Sequence, residues 1–282
     1  MKTNNVLIQV LSLLSFFSIT ANAQKLPNKQ ELSVRAPENI QIDGKLTEWG
    51  DKLQAFNRAT EIFYTLSNDD NYLYLTIRIN KPIIINKAIS GSITLTVNGS
   101  GKKSDEKCPA ISFPLLNSQI GSIIRMNLYD KTLAIDSLLI ATNKTLVDNA
   151  KEIKISDIGA ITDTLTGTHT SKKKYFFRYP LYDLPGYYII TNNSSGIRAA
   201  ASFESKWIYN YELAVPLKYL NLTLGKKFSY NIRLNGAMYK TSRPTAGFTV
   251  TRVYNNGVGT TLNEDLLSPT DLWGDYILAG KN

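Results

Sequence analysis

The chain has 282 residues, 43% of them hydrophobic, so it is long and apolar enough to form a sizeable core and is not a disordered polypeptide. The formal net charge is +9 with basic residues scattered along the chain, which argues against a nucleic-acid partner and suits an anionic glycan or cell surface. A single cysteine, Cys108, excludes an internal disulfide, and the only histidine, His169, lies in a predicted loop.

The amino terminus predicts a secretory signal peptide over residues 1–23. A polar start containing Lys2 precedes an apolar run from Val6 to Ile19, and Ala21-Asn22-Ala23 forms a small-residue cleavage site before Gln24. The alternative is a membrane anchor, but the run is shorter than the roughly 20 residues that span a bilayer. We therefore expect an exported protein, periplasmic or extracellular, that is not an integral membrane protein. Residues 24–35 would be a flexible tail and residues 36–282 a single domain.

Beyond the signal peptide, the chain alternates mainly with the two-residue period of β-strands. Glu61–Leu66 and Asn71–Ile79 alternate on either side of the turn-forming segment Ser67–Asn71, which predicts a β-hairpin. Further strands are predicted at Ser92–Val97, Ser122–Tyr129, Ser137–Ala141, Tyr187–Thr191, Gly196–Phe203, Trp207–Ala214, Phe228–Asn235, Ala246–Tyr254 and Trp273–Ala279, with one helical turn at Pro216–Leu220. Frequent turns between short strands predict an all-β fold.

The predicted architecture is an antiparallel β-sandwich of two sheets, of jelly-roll or immunoglobulin-like type, with long loops. The least regular part of the chain is about residues 102–185. We interpret this insertion as loops and edge strands of the same domain, because it hardly supplies a core of its own.

Four short motifs follow one another along this predicted sandwich. They are Asp43-Gly44-x-Leu46-x-x-Trp49, the acidic turn Asp69-Asp70 before Leu73-Tyr74, Tyr211-Glu212 with Pro216-Leu217 and Leu220, and the closing Trp273-Gly274. This ordered series resembles the family 9 carbohydrate-binding modules. The resemblance implies a β-sandwich that binds sugars without catalysis, in some members with calcium. It also implies structural roles for the motif residues Asp43, Gly44, Trp49, Tyr74, Glu212, Pro216 and Trp273.

Sugar recognition needs aromatic faces that stack on pyranose rings and polar groups that bond to hydroxyls. Trp207, Tyr209 and Tyr211 alternate along one strand, so this aromatic row is either a sugar platform or the inner packing of a sheet. The candidate carbohydrate-binding residues are Trp207, Tyr209, Tyr239, Arg252 and Tyr254. Sugar binders of the family hold their ligand between two tryptophans, and the sequence does not place such a pair.

The sequence predicts no catalytic residues and no metal ligands. Glu204 and Glu212 carry no acid–base signature, and neither a phosphate loop nor a nucleophile elbow is present. Calcium stays open as a cofactor, because the oxygens of Asn68–Asn71 could supply part of the about six to eight that it requires. We therefore predict a secreted, non-catalytic protein that recognises a polysaccharide or another glycan. The alternative is a structural or interaction module that docks onto a protein partner in the bacterial envelope.

Overall fold

The computed structural model describes residues 25–50, 52–130, 135–158, 187–236, 253–255, 258–260 and 268–281. The strands are β1 Ala55–Asn57, β2 Ile62–Asn68, β3 Tyr72–Ile79, β4 Ile93–Asn98, β5 Ala110–Phe113, β6 Glu152–Ser156, β7 Tyr187–Ile190, β8 Arg198–Glu204, β9 Ile208–Pro216, β10 Phe228–Leu234, β11 Val253–Asn255, β12 Val258–Thr260 and β13 Thr270–Tyr276. The helices are α1 Pro82–Gly91, α2 Ser118–Tyr129 and α3 Ile135–Asn149, with single 3-10 turns at Ser205–Trp207 and Leu217–Tyr219.

The strands form a β-sandwich of two antiparallel sheets, which confirms the predicted fold class. Sheet A has the order β1-β2-β3-β9-β8, and sheet B has the order β13-β10-β4-β5-β6-β7. β11 and β12 pair as a separate hairpin. The predicted hairpin of β2 and β3 is present, and so is the helical turn after β9.

The main core lies between the two sheets and is built from their alternating inward residues. In sheet A, Leu75 of β3 lies opposite Leu213 of β9, and both are fully buried. Across the core, the Tyr64 and Tyr230 hydroxyls from opposite sheets lie 3.1 Å apart and share a hydrogen bond. Each large apolar side chain that is fully buried stabilises the fold by about 1.5–3 kcal/mol. The two-residue period seen in the sequence is therefore the pattern that holds the sheets together.

A second, smaller core covers the outer face of sheet A. Leu46, Trp49 and Leu53 are buried there, with Ile40 and Phe63 packed against them. These residues belong mostly to the segment that precedes β1, which folds back across the sheet. The amino-terminal motif therefore acts as a cover on sheet A.

Two side-chain amides protect the open edges of sheet A. Gln30 accepts from the Leu66 N–H at 2.7 Å and donates to the Leu66 carbonyl at 2.7 Å. Asn143 of α3 makes the same pair of bonds to Phe203 of β8, at 2.7 and 2.8 Å. Unpaired edge groups invite pairing with other chains, and the amides occupy them. Residues 24–35 were predicted to be a flexible tail, yet Gln30 is buried against β2 because it completes this edge.

The strands predicted at Ser122–Tyr129 and Ser137–Ala141 are wrong, because both segments are helical. In α2, Ile120, Ile124 and Leu128 are four residues apart, so they share one helix face towards the core. The Asn117 side chain caps this helix by accepting from the Ile120 N–H at 2.9 Å. Helix α1, which the strand pattern did not predict, begins with Pro82 in its first turn.

No helix within the described residues is both long and apolar enough to cross a bilayer. The predicted signal peptide lies outside the described residues. Of the strand predicted at Ala246–Tyr254, only the end that belongs to β11 is described.

Candidate functional site

The aromatic row of β9 belongs to the main core. Tyr209 and Tyr211 have no exposed surface and contact Phe203 and Phe113, with ring centroids 5.3 and 5.9 Å apart. A ring with no exposed face cannot stack on a sugar. The prediction of Tyr209 as a sugar contact is therefore wrong, and inner packing is the correct alternative for both tyrosines.

Trp207 lies in the tight turn between β8 and β9. Its half-buried ring meets Phe203 edge-on, with centroids 5.6 Å apart, and packs against the end of the main core. Lys206 and Trp207 both have left-handed backbone angles, with φ of 61° and 59°. This conformation is costly for residues other than glycine, so the surrounding packing must hold the turn in place. Trp207 keeps part of its surface in solvent.

The five predicted sugar-binding residues are not brought together in the described part of the chain. Tyr239 and Arg252 lie outside the described residues. Tyr254 lies on β11, of which only the backbone is described. Trp207 and Tyr209 pack against or inside the main core.

The motif residues Asp43, Gly44 and Glu212 meet on the outer face of sheet A. Glu212 accepts hydrogen bonds from the backbone N–H groups of Asp43 and Gly44 at 3.2 and 3.0 Å, and only 1% of its surface is exposed. Gly44 has φ +82°, and a Cβ there would lie 2.7 Å from the Ala201 carbonyl carbon. Only glycine fits this turn, which explains the Asp-Gly pair.

Burial dominates the titration of Glu212. It raises the pKa of this carboxyl from 4.5 to about 7, although the two backbone N–H groups and the Trp49 indole oppose the shift. The Trp49 indole N–H and Glu212 Oε1 both lack a partner of good hydrogen-bond geometry in the described part of the chain. Glu212 therefore anchors the cover on sheet A and has no access to a substrate.

The acidic turn between β2 and β3 also has a structural role. Asp69 accepts from the backbone N–H groups of Asn71 and Tyr72, both at 2.7 Å, and from the Tyr74 hydroxyl at 2.6 Å. Asp70 forms ion pairs with Arg35 and Lys281, and these contacts lower its pKa. Asn68 Oδ1 accepts from the Ala279 N–H at 2.8 Å. The side-chain oxygens of Asn68, Asp69 and Asp70 that were candidates for calcium are thus engaged by protein groups.

Pro216 closes β9 opposite Tyr72 and precedes the single turn at Leu217–Tyr219. Among the described residues, no group of three or more His, Cys, Asp or Glu side chains is placed to hold a metal ion.

Trp273 faces outwards from sheet B. On β13, the inward side chains are Leu272 and Tyr276, and between them Gly274 packs directly on the Tyr230 ring. A Cβ at Gly274 would lie 2.2 Å from that ring, so the glycine makes room for Tyr230. Strand alternation then turns Trp273 to the opposite face, where it is half-buried.

The outer face of sheet B surrounds Trp273 with polar residues. Strand registers place them in three rows, Asp271–Arg233–Thr94, Trp273–Asn231–Thr96 and Asp275–Ser229–Asn98. Neighbouring strands lie about 4.8 Å apart and alternate residues on a strand about 6.8 Å apart. Trp273 therefore has a carboxylate on each side along β13 and an amide beside it on β10.

A loop formed by residues 101–109 lies over this face at strands β4 and β10. Ser229 Oγ donates to the Gly101 carbonyl at 2.7 Å, and Asn98 Nδ2 donates to the Ser104 carbonyl at 2.9 Å. Arg233 reaches Asp105 at 3.3 Å. Asn231 is buried, whereas Asp271 and Asp275 on β13 are exposed. We call the row Asp271, Trp273 and Asp275 the β13 strip.

In the β13 strip the partly exposed Trp273 side chain lies between two exposed carboxylates. We interpreted Trp273 as structural from the sequence, although a signal for its orientation was present. Aspartates stand two residues before and two residues after it, and polar residues on the same side of a strand indicate the solvent face.

The three tryptophans lie in three separate places. Trp49 is in the small core on sheet A, Trp207 is at the end of the main core, and Trp273 is on the outer face of sheet B. No two of them can hold a sugar between them. No protein-family model matches the chain, and a search of curated proteins finds no similar sequence. The resemblance to family 9 modules thus stays a prediction from the motifs.

Proposed function

We propose that this protein is an exported, non-catalytic carbohydrate-binding protein whose ligand lies along the β13 strip. The observation that carries the proposal is the half-buried Trp273, which faces outwards between Asp271 and Asp275. An aromatic ring with acceptors on both sides supplies the stacking surface and the hydroxyl contacts that sugars require.

The shape of the site supports an extended ligand. Asp271 and Asp275 are four residues apart on one strand, so they are separated by about 13 Å. The loop of residues 101–109 is hydrogen-bonded to β4 and β10 and therefore lies beside the strip. A glycan chain running along β13 would contact Trp273 at its centre and reach both carboxylates.

The proposal is tested by measuring binding to a panel of polysaccharides by affinity electrophoresis and titration calorimetry. Trp273→Ala should weaken binding about thirtyfold, which corresponds to about 2 kcal/mol for a central aromatic contact. Tyr129→Ala removes another exposed aromatic ring, on α2, and is the matched control with unchanged binding. Unchanged binding by Trp273→Ala, or no binding of any polysaccharide by the native protein, would overturn the proposal.

A second candidate function is an interaction module of the envelope. Helix α2 exposes Ile123, Met126 and Tyr129 at three-residue spacing, and Met126 is 70% exposed. Exposed apolar residues on one helix face are typical of contact surfaces between proteins. Mild cross-linking of the native protein in envelope extracts distinguishes the two candidates. A discrete cross-linked partner that Met126→Lys abolishes, with no glycan binding, would favour this second function.

A further inference from the structure

The carboxylates of the β13 strip contact buried polar side chains of the neighbouring strand β10. Asn231 Nδ2 donates to Asp271 Oδ2 at 2.6 Å, and Asp275 Oδ1 lies 2.9 Å from Ser229 Oγ, whose single proton it shares with the Gly101 carbonyl at 2.7 Å. Asn231 and Ser229 are almost completely buried, whereas both aspartates are exposed. Each contact uses one carboxylate oxygen, and the other oxygen of each aspartate accepts no hydrogen bond from the described residues. The strip is therefore a pre-formed pair of negative charges with Trp273 between them.

Neither carboxylate forms an ion pair in the part of the chain that the structure describes. On the same face, the Arg233 guanidinium is engaged by Asp105 at 3.3 Å. Lys154 lies in register four strands away from β13, at about 19 Å. Lys227, just before β10, lies beyond the Asp275 row and forms no ion pair with it among the described residues. Asp271 and Asp275 are thus not ion-paired within the described residues, although Arg233 is the cross-strand neighbour of Asp271 and the adjacent loop carries the exposed Lys102 and Lys103.

An aromatic face and nearby carboxylates together favour a cation. A positive group over the face of tryptophan is attracted by the ring quadrupole, and more strongly once water is displaced. A carboxylate on either side adds Coulomb attraction and a charged hydrogen-bond acceptor. A sugar that carries a protonated amine uses all three, because its ring stacks while its ammonium group reaches an aspartate.

We propose that the β13 strip selects glycans with free, positively charged amino groups, such as polymers of glucosamine, over their neutral and acidic counterparts. This inference rests on the proposed function and names the ligand class of the same site. The formal net charge of the chain is +9, so overall electrostatics would disfavour a cationic polymer and favour an acidic one. A preference for the cationic glycan must therefore arise locally, at Asp271 and Asp275.

The test compares three oligosaccharides of equal length by titration calorimetry at mildly acidic pH and low salt. The probes are a glucosamine oligomer, the matching N-acetylglucosamine oligomer and a galacturonic acid oligomer. The native protein should bind the glucosamine oligomer at least tenfold more tightly than the acetylated one, and the acidic oligomer least. Raising the salt concentration should reduce this preference.

Variants assign the preference to the strip. The double variant Asp271→Asn and Asp275→Asn keeps side chains of the same shape and should lower the preference to less than threefold. The matched control, Glu31→Gln with Glu38→Gln, removes two exposed carboxylates elsewhere and should leave it unchanged.

The outcomes separate this inference from the proposed function. Equal binding of the neutral and cationic oligomers, lost in Trp273→Ala, would overturn the inference and leave the proposed function standing. Binding of none of the oligomers and of no polysaccharide would overturn both. Equal binding of a lysine oligomer would overturn the inference as well, because it would show recognition of charge without sugar. A preference that persists in the aspartate double variant would also overturn it.

Discussion

Replacing Glu212 by glutamine should abolish a specific pH dependence of stability. The carboxyl of Glu212 is 1% exposed, and burial raises its pKa from 4.5 to about 7. Below pH 4.5 both the folded and the unfolded chain hold the proton, and the side chain contributes no pH dependence. Between these two pKa values the unfolded chain loses the proton while the folded protein retains it. The free energy of unfolding must therefore fall as the pH rises through this window and level off above about pH 7.

The size of the effect follows from the shift in pKa. Each pKa unit corresponds to about 1.4 kcal/mol, so the folded protein loses about 3 kcal/mol between pH 4 and pH 8 through this one group. Glutamine has no proton to lose, and its carbonyl can still accept from the Asp43 and Gly44 N–H groups. The free energy of unfolding of Glu212→Gln minus that of the native protein should therefore increase by about 3 kcal/mol between pH 4 and pH 8.

The assay is urea unfolding of both proteins at half-unit steps of pH, followed by tryptophan fluorescence. Other titrating groups cancel in the difference between variant and native protein. Glu38→Gln, at an exposed glutamate, is the matched control, and its difference should stay within about 0.5 kcal/mol. A difference for Glu212→Gln that does not change with pH would refute the reasoning that Glu212 is a buried, proton-retaining anchor.

Three further predictions concern the fold and the predicted export. Gly44→Ala should lower the free energy of unfolding by more than about 2 kcal/mol in urea titrations. The reason is that its Cβ would lie 2.7 Å from a backbone atom, at a residue with positive φ. A loss below about 0.5 kcal/mol would contradict this packing. Asn143→Ala should cost about 1–3 kcal/mol by leaving the Phe203 edge groups unpaired, and light scattering should show more self-association, whereas Thr145→Ala on the same helix should do neither. Amino-terminal sequencing of the secreted protein should begin at Gln24, and a sequence that begins at Met1 would contradict the predicted cleavage.

The alternation of strands β2 and β3 was readable because aliphatic residues are concentrated on one face of each strand, although the structure buries most of the other face as well. Leu73, Leu75, Ile77 and Ile79 stand at every second position and are all fully buried. The same logic failed for α2 and α3, where short apolar runs fit both periods. In α2, the buried residues Ile124 and Leu128 are four residues apart. The exposed Ile123, next to Ile124, obscured this helical spacing in the sequence.

The candidate site was harder to predict because it depends on the orientation of one strand. Whether Trp273 faces inwards is decided by Tyr230, whose ring occupies the space over Gly274. That contact joins residues on different strands, so the local signal of Asp271 and Asp275 becomes decisive only once the register of β10 and β13 is known. Tyr209 was predicted to be exposed and is buried. An alternating aromatic row is equally compatible with a core and a surface until the opposing sheet is known. Sequence reasoning therefore found the sandwich, whereas the orientation of the proposed binding surface required the register of β10 and β13.

The most direct test of the account follows the indole N–H signals of the protein in solution. The chain has 3 tryptophans, so a nitrogen-labelled sample should give three indole resonances, and Trp273→Phe assigns the one of interest. Titration with glucosamine and N-acetylglucosamine oligomers should shift the Trp273 resonance in a saturable way, while those of Trp49 and Trp207 stay in place. A saturable shift at Trp207 alone, or no shift of any indole signal at saturating sugar, would contradict binding along the β13 strip.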